Sequence, residues 1–364
     1  MSSVSNPNIP EISWFGALCD DDYEFLGQPD PALASSWAHC SNIVQTADRN
    51  GFDNVLLPSG YTLGIDSTSF AAGIATQTEQ INLLLAVRMG EMHLPQLARQ
   101  LATIDQMAAG RLTINIISSD IPGEALDSAP RYQRTREWMQ VLRQLLNGES
   151  IDFHGDFVDL QLDPPRLIGP ESTCAPFYFG GFSPAAKDVA AAEADVFLTW
   201  PDTVASVGNT VQEMTTLAAD TYERELIYGL RAHVIVRETE AEALAAAEQL
   251  VSKLDADTGD AIRKKSLDAA SFGVARQAAL RDTAADDGFV EENLWTGVGR
   301  ARSGAGAAIV GNPDQVAAKL RAYQEVGIGA FILSGYTHAA ECDLFAEHVL
   351  PKINHASLKP RFTR

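Results

Sequence analysis

Eight short runs rich in β-branched, leucine and aromatic residues alternate with longer helical patterns along almost the whole chain, and this alternation limits the fold more than any other feature. The runs cover residues 12–18, 54–58, 81–88, 112–118, 176–179, 195–200, 228–236 and 330–334. Helical patterns between them include residues 94–109, 132–146 and Pro313–Glu325. Strands separated by helices return parallel to one another, and eight such units predict a closed (β/α)8 TIM barrel. A doubly wound open sheet is the structural alternative. Two stretches interrupt the pattern. Residues 150–160 read as a small hairpin turning at His154-Gly155. Residues 255–302 are long and mostly polar, with a helical portion near 261–280. An insertion of that length, between strand seven and helix eight, predicts a lid over the barrel mouth. No second boundary is visible, so residues 1–364 are expected to form a single barrel domain.

At 364 residues and 46% hydrophobic content, the chain can fill the core of one such barrel. It contains no uncharged apolar run of about 18 residues, which argues against a membrane span. Its first residues carry neither a basic patch nor an apolar stretch of signal-peptide type. Cys19, Cys40, Cys174 and Cys342 are scattered without metal-binding spacing, and reduced thiols in a cytoplasmic protein are the expectation. A net charge of −21 argues against nucleic acid or an anionic membrane as partner. It does not argue against a small anion held in a locally basic pocket.

Four polar residues suggest such a pocket. Arg231 and His233 sit in the apolar run 229–236, and alternation along a strand puts them on one face. Tyr336 ends the run 331–336, and Arg302 lies in the glycine-rich stretch 297–306, which follows no clear strand. The plainer alternative is that each arginine has a carboxylate partner. At residues 177–187 a strand passes through Gly180 and Gly181 into a helix, with Ser183 as natural N-cap and Pro184 at the first helical position. Such a helix start can hold a phosphate, although capped helices after paired glycines are common. Asn115 interrupts an apolar run, so its amide either bonds to neighbouring strands or meets a polar ligand. His39, His93 and His348 show no ligand spacing and read as structural or exposed.

The chain resembles the bacterial luciferase-like flavin monooxygenases, and within them the two-component alkanesulfonate monooxygenases. The likeness spans residues 14–353 and is most specific at 229–239 and 293–306, with further matches at 55–60, 98–105, 178–181, 198–200 and 333–336. It implies reduced FMN delivered by a separate NAD(P)H-dependent reductase, O2 as co-substrate, and a homodimer or homotetramer. The flavin phosphate would lie near Tyr132, Ser183 and the backbone of Gly181 and Phe182, with Asn115 at the polar edge of the ring. Arg231, His233, Arg302 and Tyr336 match the family's active-site set, Arg302 on the lid, and Trp200 matches an aromatic residue of the substrate pocket. The implied reaction oxygenates an alkanesulfonate or similar organosulfur anion, releasing sulfite and an aldehyde.

One departure concerns the substrate. The family's cysteine after strand two is missing from residues 58–66, and Cys19-Asp-Asp-Asp22 replaces a histidine-containing segment. These loops lie at strand C-terminal ends, where a barrel sets specificity. A bulkier sulfonate, a sulfone or another small anion is therefore within the expectation. The alternatives are a flavin- or deazaflavin-dependent oxidoreductase without oxygen insertion, and a non-catalytic flavin-binding barrel.

Overall fold

In the computed structural model, which describes residues 9–61, 64–124, 126–163, 174–255, 257, 259, 261–262 and 271–362, the eight expected runs all form strands. The strands in chain order are β1 (Glu11–Phe15), β2 (Asn54–Leu57), β3 (Asn82–Arg88), β4 (Leu112–Ile117), β5 (Ile151–His154), β6 (Asp159–Leu162) and β7 (Phe177–Gly180). They continue with β8 (Val196–Thr199), β9 (Ile227–Val236), β10 (Phe289–Glu291), β11 (Leu294–Trp295), β12 (Ala308–Gly311) and β13 (Ile328–Ser334). The helices are α1 (Trp37–Arg49), α2 (Ser67–Ile74), α3 (Leu94–Met107), α4 (Ser128–Leu146) and α5 (Pro184–Glu193). After them come α6 (Val204–Tyr222), α7 (Glu240–Val251), α8 (Phe272–Asp282), α9 (Pro313–Glu325) and α10 (His338–His348).

Parallel pairing runs β1–β2–β3–β4–β7–β8–β9–β13 and returns to β1, which closes the barrel. This excludes the open doubly wound sheet. Period-two alternation sorts each strand: Ile12 and Trp14 of β1 join the core beneath the helices, while Phe15 packs inside with Leu56, Leu84, Val196 and Ile332.

The barrel floor is polar but satisfied. Buried Glu11 accepts from Tyr178 Oη at 2.9 Å, from Asn54 Nδ2 at 3.2 Å and from the Leu358 amide at 3.0 Å. Burial pushes the Glu11 carboxyl up, against the pull of these donors. The C-terminal tail thus plugs the N-terminal end, with Lys359 Nζ on the Leu112 carbonyl at 2.6 Å. The opposite, C-terminal mouth is left for ligands.

The hairpin expected at 150–160 is present as β5 and β6. The insertion lies between the seventh barrel strand and helix eight, and more narrowly within the crossover from β9 to β13. The expected helical portion near 261–280 is helical at 261–262 and again in α8, Phe272–Asp282, while 263–270 lie outside the described residues. One sequence expectation fails: the stretch 297–306 does follow strands, the short antiparallel pair β10 and β11, and leads into β12. Strands of three and two residues are too short to show a period. β12 then runs parallel to residues 233–236 of β9, beyond the point where β8 stops pairing. Among the described residues no helix is long and apolar enough to cross a membrane.

Candidate active site

Arg231 and His233 project from the same face of β9 toward β13, and Ser334 joins them. Arg231 Nη2 donates to Ser334 Oγ at 2.8 Å, and Oγ lies 2.9 Å from His233 Nδ1. Among the described residues Nδ1 is the one acceptor within reach of the Ser334 proton, which assigns the ring proton to Nε2. Nε2 is buried and makes no hydrogen bond of regular geometry. The His233 ring stacks on Tyr336, centroids 5.2 Å apart.

Arg302 comes to this pair from the insertion. Its Nη1 donates to Tyr336 Oη at 2.9 Å and to Asp21 Oδ2 at 2.7 Å. Arg231 lies over the ring of Phe15 at 4.4 Å from its centroid, and Arg302 over the same ring at 5.5 Å. One aromatic ring therefore carries two guanidiniums by cation–π contact. The carboxylate-partner reading holds for Arg302 and fails for Arg231, whose described partners are Ser334 and the carbonyls of Ala232 and Ile332.

Burial opposes charge throughout this cluster. It pulls His233 well below the usual imidazole range, helped by Arg231 and Arg302 and only weakly countered by the Ala305 carbonyl. His233 is thus neutral at pH 7. Burial also lowers Arg231, as does the neighbouring Arg302. For Arg302 burial acts against the cation, but the oxygens of Tyr336 and Asp21 outweigh it. Tyr336 is pushed up by burial and keeps its proton at neutral pH. The cluster is buried and holds two guanidiniums, one of them paired with the Asp21 carboxylate, beside a neutral imidazole and a phenol. Such a set binds an anion and can donate protons to it.

A second group of residues lies around the start of α5. Ser183 caps the helix, its Oγ accepting from Ala186 N at 3.2 Å, which leaves its own proton free to donate. A Cβ on Gly181 would lie 2.5 Å from that of Ala186 and 3.5 Å from Tyr132 Oη, so only glycine leaves this backbone open beside the tyrosine. Phe182 packs on Trp200 with centroids 5.9 Å apart. Asn115 is half-buried on the same strand face as Thr113, which bonds to Asn54 inside the barrel. Its side chain therefore lies on the interior face of the barrel wall, beside Tyr178 of β7 in the strand register.

The insertion links the two groups. Arg302 reaches Tyr336, and two residues on, Gly304 lies close enough to Trp200 that a Cβ there would sit 3.6 Å from the indole. Gly273 of α8 rests on Trp200 and Phe182, and Gln277 holds the Pro201 carbonyl at 2.7 Å and the Gly306 amide at 3.0 Å.

Sequence reasoning missed several residues here. Ser334, Phe15 and Asp21 touch the arginines directly, and His338 lies against both Phe15 and Tyr336. Buried Asp22 fixes His338, taking its backbone N–H at 3.0 Å, and reaches His39 Nε2 at 2.9 Å. The acidic run at 20–22 was the one visible signal, since three carboxylates at a strand end need partners.

Residues 24–329 match the model of the family described as luciferase-like monooxygenase. A sulfoquinovose monooxygenase of Novosphingobium aromaticivorans is 60% identical over 355 residues, covering 96% of this chain and 98% of that protein. A sulfoquinovose monooxygenase of Agrobacterium fabrum is 48% identical over 361 residues, covering 97% and 92%. Among solved structures, the EDTA monooxygenase of a Chelativorans species superposes with TM-score 0.76 at 17% identity, covering 94% and 93%, a likeness of fold. The chain, with its closed barrel and its arginine–histidine–tyrosine mouth, belongs to the luciferase-like monooxygenase family.

Proposed function

We propose that this chain is the oxygenating component of a two-component system that uses reduced FMN and O2 to cleave a sulfonated sugar or a closely similar organosulfonate. The observation that carries this reading is the pairing of Arg231 and Arg302 over one Phe15 ring, with Tyr336 and neutral His233 beside them. The names of the two relatives point to the same substrate class.

The phosphate of FMN would be held by Tyr132, Ser183 and the backbone N–H groups of Gly181 and Phe182 at the start of α5, with Asn115 meeting the polar edge of the ring. The residues fit the group chemically: the start of α5 offers an open glycine backbone beside Tyr132 and a hydroxyl proton on Ser183, and Asn115 offers an amide on the barrel interior. Reduced FMN, when bound, supplies the two electrons that split O2 between substrate and water. In the overall balance a sulfonate R–CH2–SO3−, O2 and reduced FMN give R–CHO, HSO3−, oxidised FMN and water. The C–S bond breaks, and the carbon takes one oxygen atom.

The protein's own groups do the rest. Arg302 presents a planar donor fork to the sulfonate, and Arg231 adds fixed positive charge deep in the barrel. His233 Nε2–H offers a neutral hydrogen bond where a charged imidazole would be costly. Tyr336, still protonated, donates at its hydroxyl. The insertion, resting on Trp200 and Tyr336, keeps water from the reacting centre. Hydride transfer by a flavin or deazaflavin, without oxygen insertion, would give the Arg302–Tyr336 pair no role.

The test supplies reduced FMN from an independent NAD(P)H-dependent FMN reductase and measures sulfite from sulfoquinovose. Sulfite should require reductase, FMN, O2 and this chain together. Sulfite-free flavin turnover with a panel of sulfonates would refute the reading.

A further inference from the structure

Three consecutive aspartates follow the first barrel strand, and the structure uses them differently. Asp20 is fastened to its own loop: its Oδ1 accepts from Ser35 N at 2.6 Å and its amide donates to Ser35 Oγ at 2.8 Å. Asp22 is consumed in the same way, accepting from the amides of Tyr23 and His338, both at 3.0 Å, and contacting His39. These two anchor the segment rigidly at both ends. Asp21 between them makes one bond, Oδ2 to Arg302 at 2.7 Å, and its Oδ1 is buried with no partner among the described residues. On the same side of the site, Arg302 Nε and Ser303 Oγ are buried and unpartnered as well.

A buried carboxylate oxygen left without a donor is costly, whereas the same oxygen satisfied by a ligand hydroxyl forms a strong, charge-assisted bond. An isolated ion pair with Arg302 would need only one oxygen. The other, held still by its two anchored neighbours, is an acceptor for a donor that the protein does not supply. The donor-rich partner beside it, Arg302, is the group placed to take the sulfonate. Resting on the sulfonate reading above, we infer that Asp21 is a specificity-determining residue. Its Oδ1 accepts a hydrogen bond from a substrate hydroxyl within a few bonds of the sulfonate, so that the site selects hydroxylated sulfonates over plain alkanesulfonates.

Two-point recognition of this kind discriminates well. A site built to hydrogen-bond a hydroxyl rejects an analogue lacking it, because the buried partner is left unpaired. One hydrogen bond to a charged acceptor corresponds to a preference of roughly 10- to 100-fold.

The experiment is calorimetric titration of the full chain, without turnover, using sulfoquinovose and a straight-chain alkanesulfonate of the same carbon number. The wild type should bind the sugar sulfonate at least about tenfold more tightly. Asp21→Asn keeps the size and an oxygen for Arg302 but turns the second position into a donor. Its preference, read as the ratio of the two Kd values so that any common change acting through Arg302 cancels, should fall by roughly tenfold. Asp21→Ser, smaller and uncharged, should show the same collapse, which guards against a fold defect peculiar to one variant. Parallel weakening of both ligands, or a preference that survives both substitutions, would overturn the proposal by showing that Asp21 acts only through Arg302. Sulfite release is read separately. Its failure would remove the oxygenation reading and leave the binding preference standing.

Discussion

Nη1 of Arg302 donates to the hydroxyl of Tyr336 at 2.9 Å, which fastens the insertion to the second residue after the last barrel strand. The same nitrogen serves Asp21, so one guanidinium joins three separate chain segments. Arg302 holds Asp21 and Tyr336 through Nη1 and keeps Nε for another partner, whereas a lysine ammonium is a point charge that lacks this planar fork. Arg302→Lys should therefore lower kcat/KM by roughly 100-fold, while the Kd for reduced FMN stays within about threefold. Stopped-flow binding and sulfite assays check this. Equal losses in both would assign Arg302 to the flavin instead.

Ser334 connects Arg231 to His233 through a single buried oxygen. Ser334→Ala leaves both groups buried and short of a partner. The expected cost is about 2 kcal/mol of stability, with activity reduced because the His233 tautomer is no longer fixed. Urea unfolding and steady-state rates test this, and an unchanged midpoint would show that the bridge is not formed in solution.

His233 predicts a pH dependence. Unfolded, its imidazole titrates near about 6.5. Folded, burial and then the two arginines hold it well below that value. The unfolded chain thus binds more protons between the two values. Stability from this group is complete above about pH 7 and falls as pH drops through 6.5 toward the folded value, with a slope of up to about 1.4 kcal/mol per pH unit. His233→Asn should flatten this acid limb in denaturant titrations. An identical limb in both proteins would place the dependence elsewhere.

Gly181 tests the cofactor reading. Its replacement by alanine would bring a Cβ to 2.5 Å from that of Ala186, beside Tyr132. Gly181→Ala should weaken reduced FMN by roughly tenfold or more while affecting riboflavin, which lacks the phosphate, much less. Equal weakening of both would move the phosphate away from α5.

The sequence revealed the barrel because strands buried on both faces read as near-continuous apolar runs, and all eight expected runs became barrel strands. Helix α9 was visible to the residue, with Asn312 capping and Pro313 at its start. Helix α4 begins at Ser128 rather than 132, where polar residues gave no apolar period. Strands β10 and β11 were hidden by their shortness. Within the site, Arg231 and His233 were legible because charge inside an apolar strand is costly and conspicuous. Ser334 was not, and Asp21 was visible only as one of the acidic run 20–22 in a loop expected to set specificity. Asp21 lies 281 positions from Arg302, and sequence order carries no sign of that meeting. Ser334 is an ordinary serine until the barrel closes and brings β9 alongside β13.

The central claim is oxygen transfer to a sulfonate, and its most direct test is a single-turnover experiment. Reduced FMN is bound to the chain under nitrogen, and the complex is mixed with oxygenated buffer containing sulfoquinovose. The account predicts sulfite approaching one equivalent per bound flavin, with the matching aldehyde. Oxidation of the bound flavin that yields hydrogen peroxide and no sulfite, with sulfoquinovose and with other sulfonates alike, would contradict it.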